Sequence, residues 1–173
     1  MNSVFSDRKT VFETPWFKIL AGAGDKPHYV LQCPDFASVV ALDPQGRLLL
    51  VRQFRHGAGQ TTLEVPAGHV EEGETPEEAA RKELLEETGH EADSFELLGV
   101  LSPSTARFTN RLWCFFANGV RLAPDHKQRL EEGLDPVHYS GSLRRLMNEP
   151  EFFSAGTHAS LLRAILHGKL KID

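Results

Sequence analysis

Cysteine is scarce in this 173-residue chain: Cys33 and Cys114 stand far apart, outside any CxxC or Cys/His spacing. That excludes a disulfide-stapled scaffold and a thiolate metal site, and points to two buried thiols in a reducing cytoplasm. No apolar run approaches the roughly 18 residues a membrane-spanning helix needs, and the opening MNSVFSDRKTVFE lacks the apolar core of a signal peptide. An excess of positive charge is also missing. Nineteen Lys and Arg against 24 Asp and Glu leave a net charge of −5, whereas general nucleic-acid or membrane-surface binding needs a basic face. Arg52 to Arg55 and Arg144-Arg145 are short local clusters. The eight His show no HxxxH spacing, which removes the usual zinc motif. Ser102, Ser104 and Cys114 have no ordered His and acid partners, so nucleophilic catalysis gains no support. Gly22-Ala23-Gly24 is too short for a phosphate-binding loop. Repeats, linkers and low-complexity tracts are absent. What remains is a soluble cytosolic domain whose 40% hydrophobic content suffices for a core.

Acid is what the chain does have. Nine acidic residues fall between Glu71 and Glu91, against Arg81 and Lys82. They lie in a well-signalled helix over about 75–88: Thr75 can cap it, Pro76 suits its first position and Glu78 completes a capping box. Gly89 supplies a left-handed stop, and Ala79, Ala80, Leu84 and Leu85 give an apolar stripe. Glu83 and Glu87 are one turn apart, with Glu86 three residues from Glu83. Like charges at this spacing repel by a few tenths of a kcal/mol per pair. A merely solvated helix would sooner pair Lys with Glu. Convergent carboxylates become favourable around a hard divalent cation, which takes oxygen ligands.

Along the rest of the chain, 10–20 and 28–33 read as short strands around the Gly22 to Gly24 turn. Residues 36–42 and 47–52 are apolar strands joined at Asp43 to Gly46, the second continuous enough to be covered on both faces. Strands are expected at 95–101, 111–118 and 134–139, with the loop Ser102, Pro103, Arg107, Thr109 between the first two. Asp125 to Gly133 reads as a loop, and helices are expected at about 141–148 and 157–168. This order suits a mixed sheet between helical layers, an α/β (α+β) fold.

Residues 68–90, GHVEEGETPEEAARKELLEETGH, resemble the signature of the Nudix hydrolases. Gly68, Glu74, Glu83, Leu84, Glu86, Glu87 and Gly89 stand in register with it. Two positions depart, Lys82 replacing an Arg and His90 replacing an apolar residue. Lys keeps the charge but is a flexible point donor rather than a bidentate fork, and His90 reads as a surface substitution. The resemblance implies an αβα sandwich with a mixed central sheet, a domain over 36–173 and an N-terminal β extension over 1–35 that dimerises.

Val51-Arg52-Gln53-Phe54-Arg55 and Leu63-Glu64-Val65-Pro66-Ala67-Gly68 resemble the ADP-ribose and nucleotide-sugar pyrophosphatase branch. That branch implies Mg2+ (or Mn2+) held by Glu83, Glu86, Glu87 and the Ala67 carbonyl, a small nucleotide substrate and a homodimer. Arg55 is its phosphate-binding position. Glu64 either faces the site or pairs with Arg52 or Arg55, and Arg107 is a further substrate-binding candidate. The base that deprotonates water is expected from the loop carrying Glu131 and Glu132, with Glu132 favoured. Pro103 is either a mark of ADP-ribose hydrolysis, at a spacing slightly short for it, or a plain loop-former. Phe12 and Trp16 either stack a nucleobase or anchor the core or an interface. Two other functions stay open: a Nudix hydrolase of dinucleoside polyphosphates or nucleoside triphosphates, and a nucleotide-binding regulator without turnover.

Overall fold

The computed structural model describes residues 8–126 and 130–172. A four-stranded mixed sheet forms the centre, in the order β7 (Ala67–His69), β4 (Phe36–Ala41), β10 (Leu112–Asn118) and β9 (Ser94–Leu101). β4 and β10 run parallel and the other pairs antiparallel. A second sheet places β5 (Leu48–Arg55) between β12 (Asp135–Tyr139) and β6 (Gln60–Glu64). The short strands β8 (His90–Glu91) and β11 (Arg121–Leu122) pair antiparallel.

The helices bounded within the described residues are, in chain order, α1 (Pro76–Thr88), α2 (Leu143–Leu146) and α3 (Ala155–Leu166). The period of a strand sorts the core into two halves. Ala37, Val39 and Ala41 of β4, with Phe115 and Ala117 of β10, pack with Ala79, Ala80 and Leu84 of α1. The intervening Val40, Leu112, Cys114 and Phe116 pack with Leu161 and Ala164 of α3 and with Leu143 and Leu146 of α2. The expected αβα sandwich with its mixed sheet is therefore present. Continuous burial of Leu48, Leu49, Leu50 and Val51 matches a strand covered on both faces.

The N-terminal segment differs from the sequence reading. One strand over 10–20 becomes two, β1 (Lys9–Glu13) and β2 (Lys18–Ala21), which join β3 (Tyr29–Gln32) in a separate antiparallel sheet. Pro15 has no N–H for a ladder, and the Thr14 hydroxyl accepts from the backbone N–H groups of Trp16 and Phe17, closing a turn. Residues 1–7 of the expected extension, and 127–129 of the expected loop, lie outside the described residues.

α1 is built as its sequence demands. Thr75 accepts from the Glu78 N–H while Glu78 accepts from the Thr75 N–H, and Gly89 closes the helix at φ 71°. A Cβ at Gly89 would also stand 2.9 Å from the His126 Cβ, so backbone strain and close approach both select glycine.

His90 is a correction: it is 3% exposed, not a surface substitution. Its Nδ1 lies 2.8 Å from the Thr88 carbonyl and its ring meets His138 edge-on at 5.2 Å. Burial holds its pKa below the ordinary imidazole value. Cys114 is buried as expected, but Cys33 is only partly so.

Candidate active site

α1 and the strands before it deliver their polar side chains to one cavity of about 1020 Å³. Glu83, Glu86 and Glu87 line it from the helix, Arg55, Thr62 and Glu64 from β5 and β6, and Ala67, Gly68 and His69 from β7. Two of the three carboxylates are strongly perturbed. Burial pushes Glu87 up to about 8, with Glu83 adding repulsion, although Glu87 accepts the Ala67 N–H at 2.8 Å. Burial and the Glu86 charge push Glu83 up to about 7, against the pull of Lys82.

These carboxylates cost stability where they stand. Among the described residues no three ligating side chains already converge on one point, so a cation would have to draw these oxygens together. Hard oxygen donors, repelling and half-desolvated, are nevertheless a donor set that a divalent cation suits.

Gly68 makes the arrangement possible. A Cβ there would lie 2.0 Å from one Glu83 carboxylate oxygen and 2.7 Å from the other, so Glu83 rests directly against backbone. The need for a glycine at this place is steric and not conformational.

Arg55 and Glu64 answer the alternative left open by the sequence: both face the cavity and they also pair. The Arg55 Nη2 donates to Glu64 at 2.9 Å and its Nε at 3.2 Å, and the Thr62 hydroxyl donates to Glu64 at 2.7 Å. Burial works against the Arg55 charge, but Glu64, Glu87 and Glu83 outweigh it and keep the guanidinium charged. The result is a guanidinium held charged among carboxylates at the cavity wall. Arg52 turns away to Glu151 and Asp135.

Lys82 donates to Glu71 at 2.6 Å and lines the cavity. Its hydrogen bond therefore goes to the loop before α1, while only its charge acts on the helix carboxylates.

Other candidates separate. Glu131 lines the cavity, its N–H donating to the Glu86 carbonyl at 2.8 Å. Its charge raises both Glu83 and Glu87. Glu131 and Glu132 are both exposed, but Glu132, the residue favoured from sequence, does not line the cavity. Arg107 is not brought there either: its guanidinium donates to the Tyr29 carbonyl on β3. Phe12 and Trp16 stay outside, Trp16 at 69% exposure. Pro103 does line the cavity, beside Ser102 at the end of β9. Phe153, Phe36 and His69 also line it and carried no sequence signal beyond apolar or aromatic character.

The profile of the NUDIX domain matches residues 34–144. The chain is 41% identical over 103 residues to an ADP-ribose pyrophosphatase of Bacillus subtilis (strain 168), covering 60% of this chain and 55% of that protein. It thus spans little more than half of that relative. A methanol dehydrogenase activator of Bacillus methanolicus is 25% identical over 146 residues, 84% of this chain and 76% of its own. A crystal structure described as that of an ADP compounds hydrolase superposes with a TM-score of 0.69 at 21% identity, over 95% of each chain, a likeness of fold. Since the matched profile covers well over half of the sequence and takes in the whole carboxylate helix, the chain belongs to the NUDIX domain family.

Proposed function

We propose that this protein hydrolyses the diphosphate bond of a nucleoside diphosphate sugar, with ADP-ribose or a related ADP-sugar foremost, giving a nucleoside monophosphate and a sugar phosphate. The observation that carries this reading is the single cavity in which Glu83, Glu86 and Glu87 face Arg55 and Glu64. The names of relatives support it, including the ADP-ribose pyrophosphatase of Bacillus subtilis and an ADP-sugar pyrophosphatase of Mus musculus, 51% identical over 49 residues.

Glu83, Glu86 and Glu87, with the Ala67 carbonyl, would hold Mg2+ or Mn2+, which supplies neutralisation of the diphosphate charge and a lower pKa for water. The chain's own groups do the rest. Arg55, oriented by Glu64, binds the phosphate oxygens. The Ala67 N–H fixes Glu87, and the absent Cβ of Gly68 leaves room for Glu83. Glu131 takes the proton from the attacking water. Water oxygen bonds to one phosphorus, the bridging oxygen leaves with the other, and each product carries one phosphate.

A homodimer through the N-terminal extension, residues 1–35, belongs to the same proposal. Its support is the exposure of Val11, Phe12 and Tyr29 on β1 and β3 and of Trp16 in the turn after β1. Two unpaired thiols suit a reducing compartment such as the cytoplasm.

Chromatographic detection of nucleoside monophosphate from ADP-ribose, ADP-glucose, GDP-mannose and ATP, each with Mg2+ and with EDTA, tests the activity. Turnover of ATP alone moves the substrate class, and nucleotide binding without any turnover makes the protein a regulator. The base is tested separately. Glu131→Gln is expected to lower kcat by about 100-fold or more, the contribution typical of a positioned base, while Glu132→Gln stays near wild type. The reverse order would return the role to Glu132.

A further inference from the structure

Besides its charged groups, the cavity is lined by a row of mostly apolar side chains. Register aligns four residues across the central sheet: His69 opposes Phe36, Phe36 opposes Leu112, and Leu112 opposes Leu101. Directly opposed residues share a face of the sheet, and all four line the cavity. His69 and Phe36 are already stacked, with ring centroids 4.5 Å apart. α3 starts against this row, since a Cβ on Gly156 would stand 3.4 Å from Leu112.

Phe153 stands at the start of α3 and lines the same cavity, with 48% of its surface exposed. Its backbone is pinned on both sides. The Glu151 carbonyl accepts the Leu63 N–H at 2.8 Å and the Glu151 carboxylate accepts from Arg52 at 2.9 Å. Phe152 is buried against His158, and the Ser154 hydroxyl caps α3. A lone exposed apolar side chain is ordinary. This one combines a fixed backbone, an open ring and an apolar row in the same cavity as the phosphate-directed groups.

We propose that Phe153, with the His69–Phe36–Leu112–Leu101 row, forms the stacking slot for the flat heterocyclic base of the nucleotide substrate. Base stacking on an aromatic ring tolerates different bases and needs no hydrogen-bond code. The slot therefore selects for a base of any kind over a base-free diphosphate, and the phosphates extend from it toward Arg55. This deepens the functional reading above and rests on a nucleotide entering the cavity.

Phe153→Ala is expected to raise KM for ADP-ribose by about 10-fold, in the range of one lost stacking contact, with the loss falling on KM rather than kcat. The affinity for AMP, measured by calorimetry without turnover, falls by the same factor. Affinity for ribose 5-phosphate does not follow it, and Phe153→Tyr restores AMP binding. In Phe153→Trp, AMP quenches the added fluorescence and ribose 5-phosphate does not.

Unchanged AMP affinity in Phe153→Ala, or equal losses for AMP and ribose 5-phosphate, overturns the slot. So does a loss of AMP binding in Trp16→Ala that Phe153→Ala does not show. Phe153-dependent AMP binding without turnover of any nucleotide sugar would instead sink the proposed activity and leave the slot standing.

Discussion

Glu87→Gln is expected to lower turnover by about two to three orders of magnitude, as when a charge-stabilising group is lost from a reaction centre, while making the metal-free protein more stable in alkaline buffer. Gln still accepts the Ala67 N–H through its amide oxygen, so the hydrogen bond survives and only the charge goes. The pH dependence follows from the raised pKa. Between the ordinary 4.5 and about 8, the folded chain holds a proton on Glu87 that the unfolded chain has released. The folded state then binds more protons, so stability falls as pH rises through that window. The full penalty, of order a few kcal/mol, stands above pH about 8.

Melting temperatures of wild type and Glu87→Gln across this range check the sign. The wild-type curve is expected to drop below the variant's as pH rises. Added Mg2+ is expected to raise the wild-type melting temperature more at high pH than at low pH, because the folded site is then ionised. Parallel curves, with no effect of Mg2+, would remove the buried charge from the account.

Gly68→Ala is the second large effect, and it separates function from stability. The added methyl group meets the Glu83 carboxylate at 2.0 to 2.7 Å, well inside contact distance. Glu83 is the far end of a flexible side chain, so it moves away by changing rotamer, at a cost of about 1 kcal/mol. The fold survives, but the carboxylate leaves the position that Gly68 reserves. Activity is expected to fall by about 100-fold, the scale on which small misplacements act in catalysis. The melting temperature is expected to change by only a few degrees. An active Gly68→Ala enzyme would show that Glu83 need not rest on the β7 backbone.

Much of α1 was legible in advance because its signals are local. Thr75, Pro76, Glu78 and Gly89 specify the helix ends through bonds within a few residues, and the apolar stripe gives its buried face. The strands of the core were legible for the same reason, through period-2 or continuous burial. The N-terminal strand was misjudged because one hydroxyl, that of Thr14, closes a turn that apolar patterning does not display. His90 was misjudged because a polar residue after a helix stop ordinarily faces water. Here Thr88, His138 and the close of the helix bury it.

The choice between Glu131 and Glu132 was beyond the sequence, since adjacent loop carboxylates have no period to separate them. One backbone hydrogen bond, from the Glu131 N–H to the Glu86 carbonyl, ties Glu131 to α1 at the rim of the cavity, although its side chain is as exposed as that of Glu132. Arg107 shows the converse, a plausible cation that the loop directs to Tyr29.

The sequence alone determined the helix, its carboxylates and its glycine stop, because spacing along one chain fixes which groups share a turn or a face, and its resemblance to a known family implied the sandwich they belong to. Tertiary structure alone decided that Arg55 and Glu64 pair, that Lys82 donates to Glu71, and that Phe153 lines the same cavity as a row of residues drawn from four strands. Those relations join positions tens of residues apart, and only the packing of separate elements fixes the distance between them.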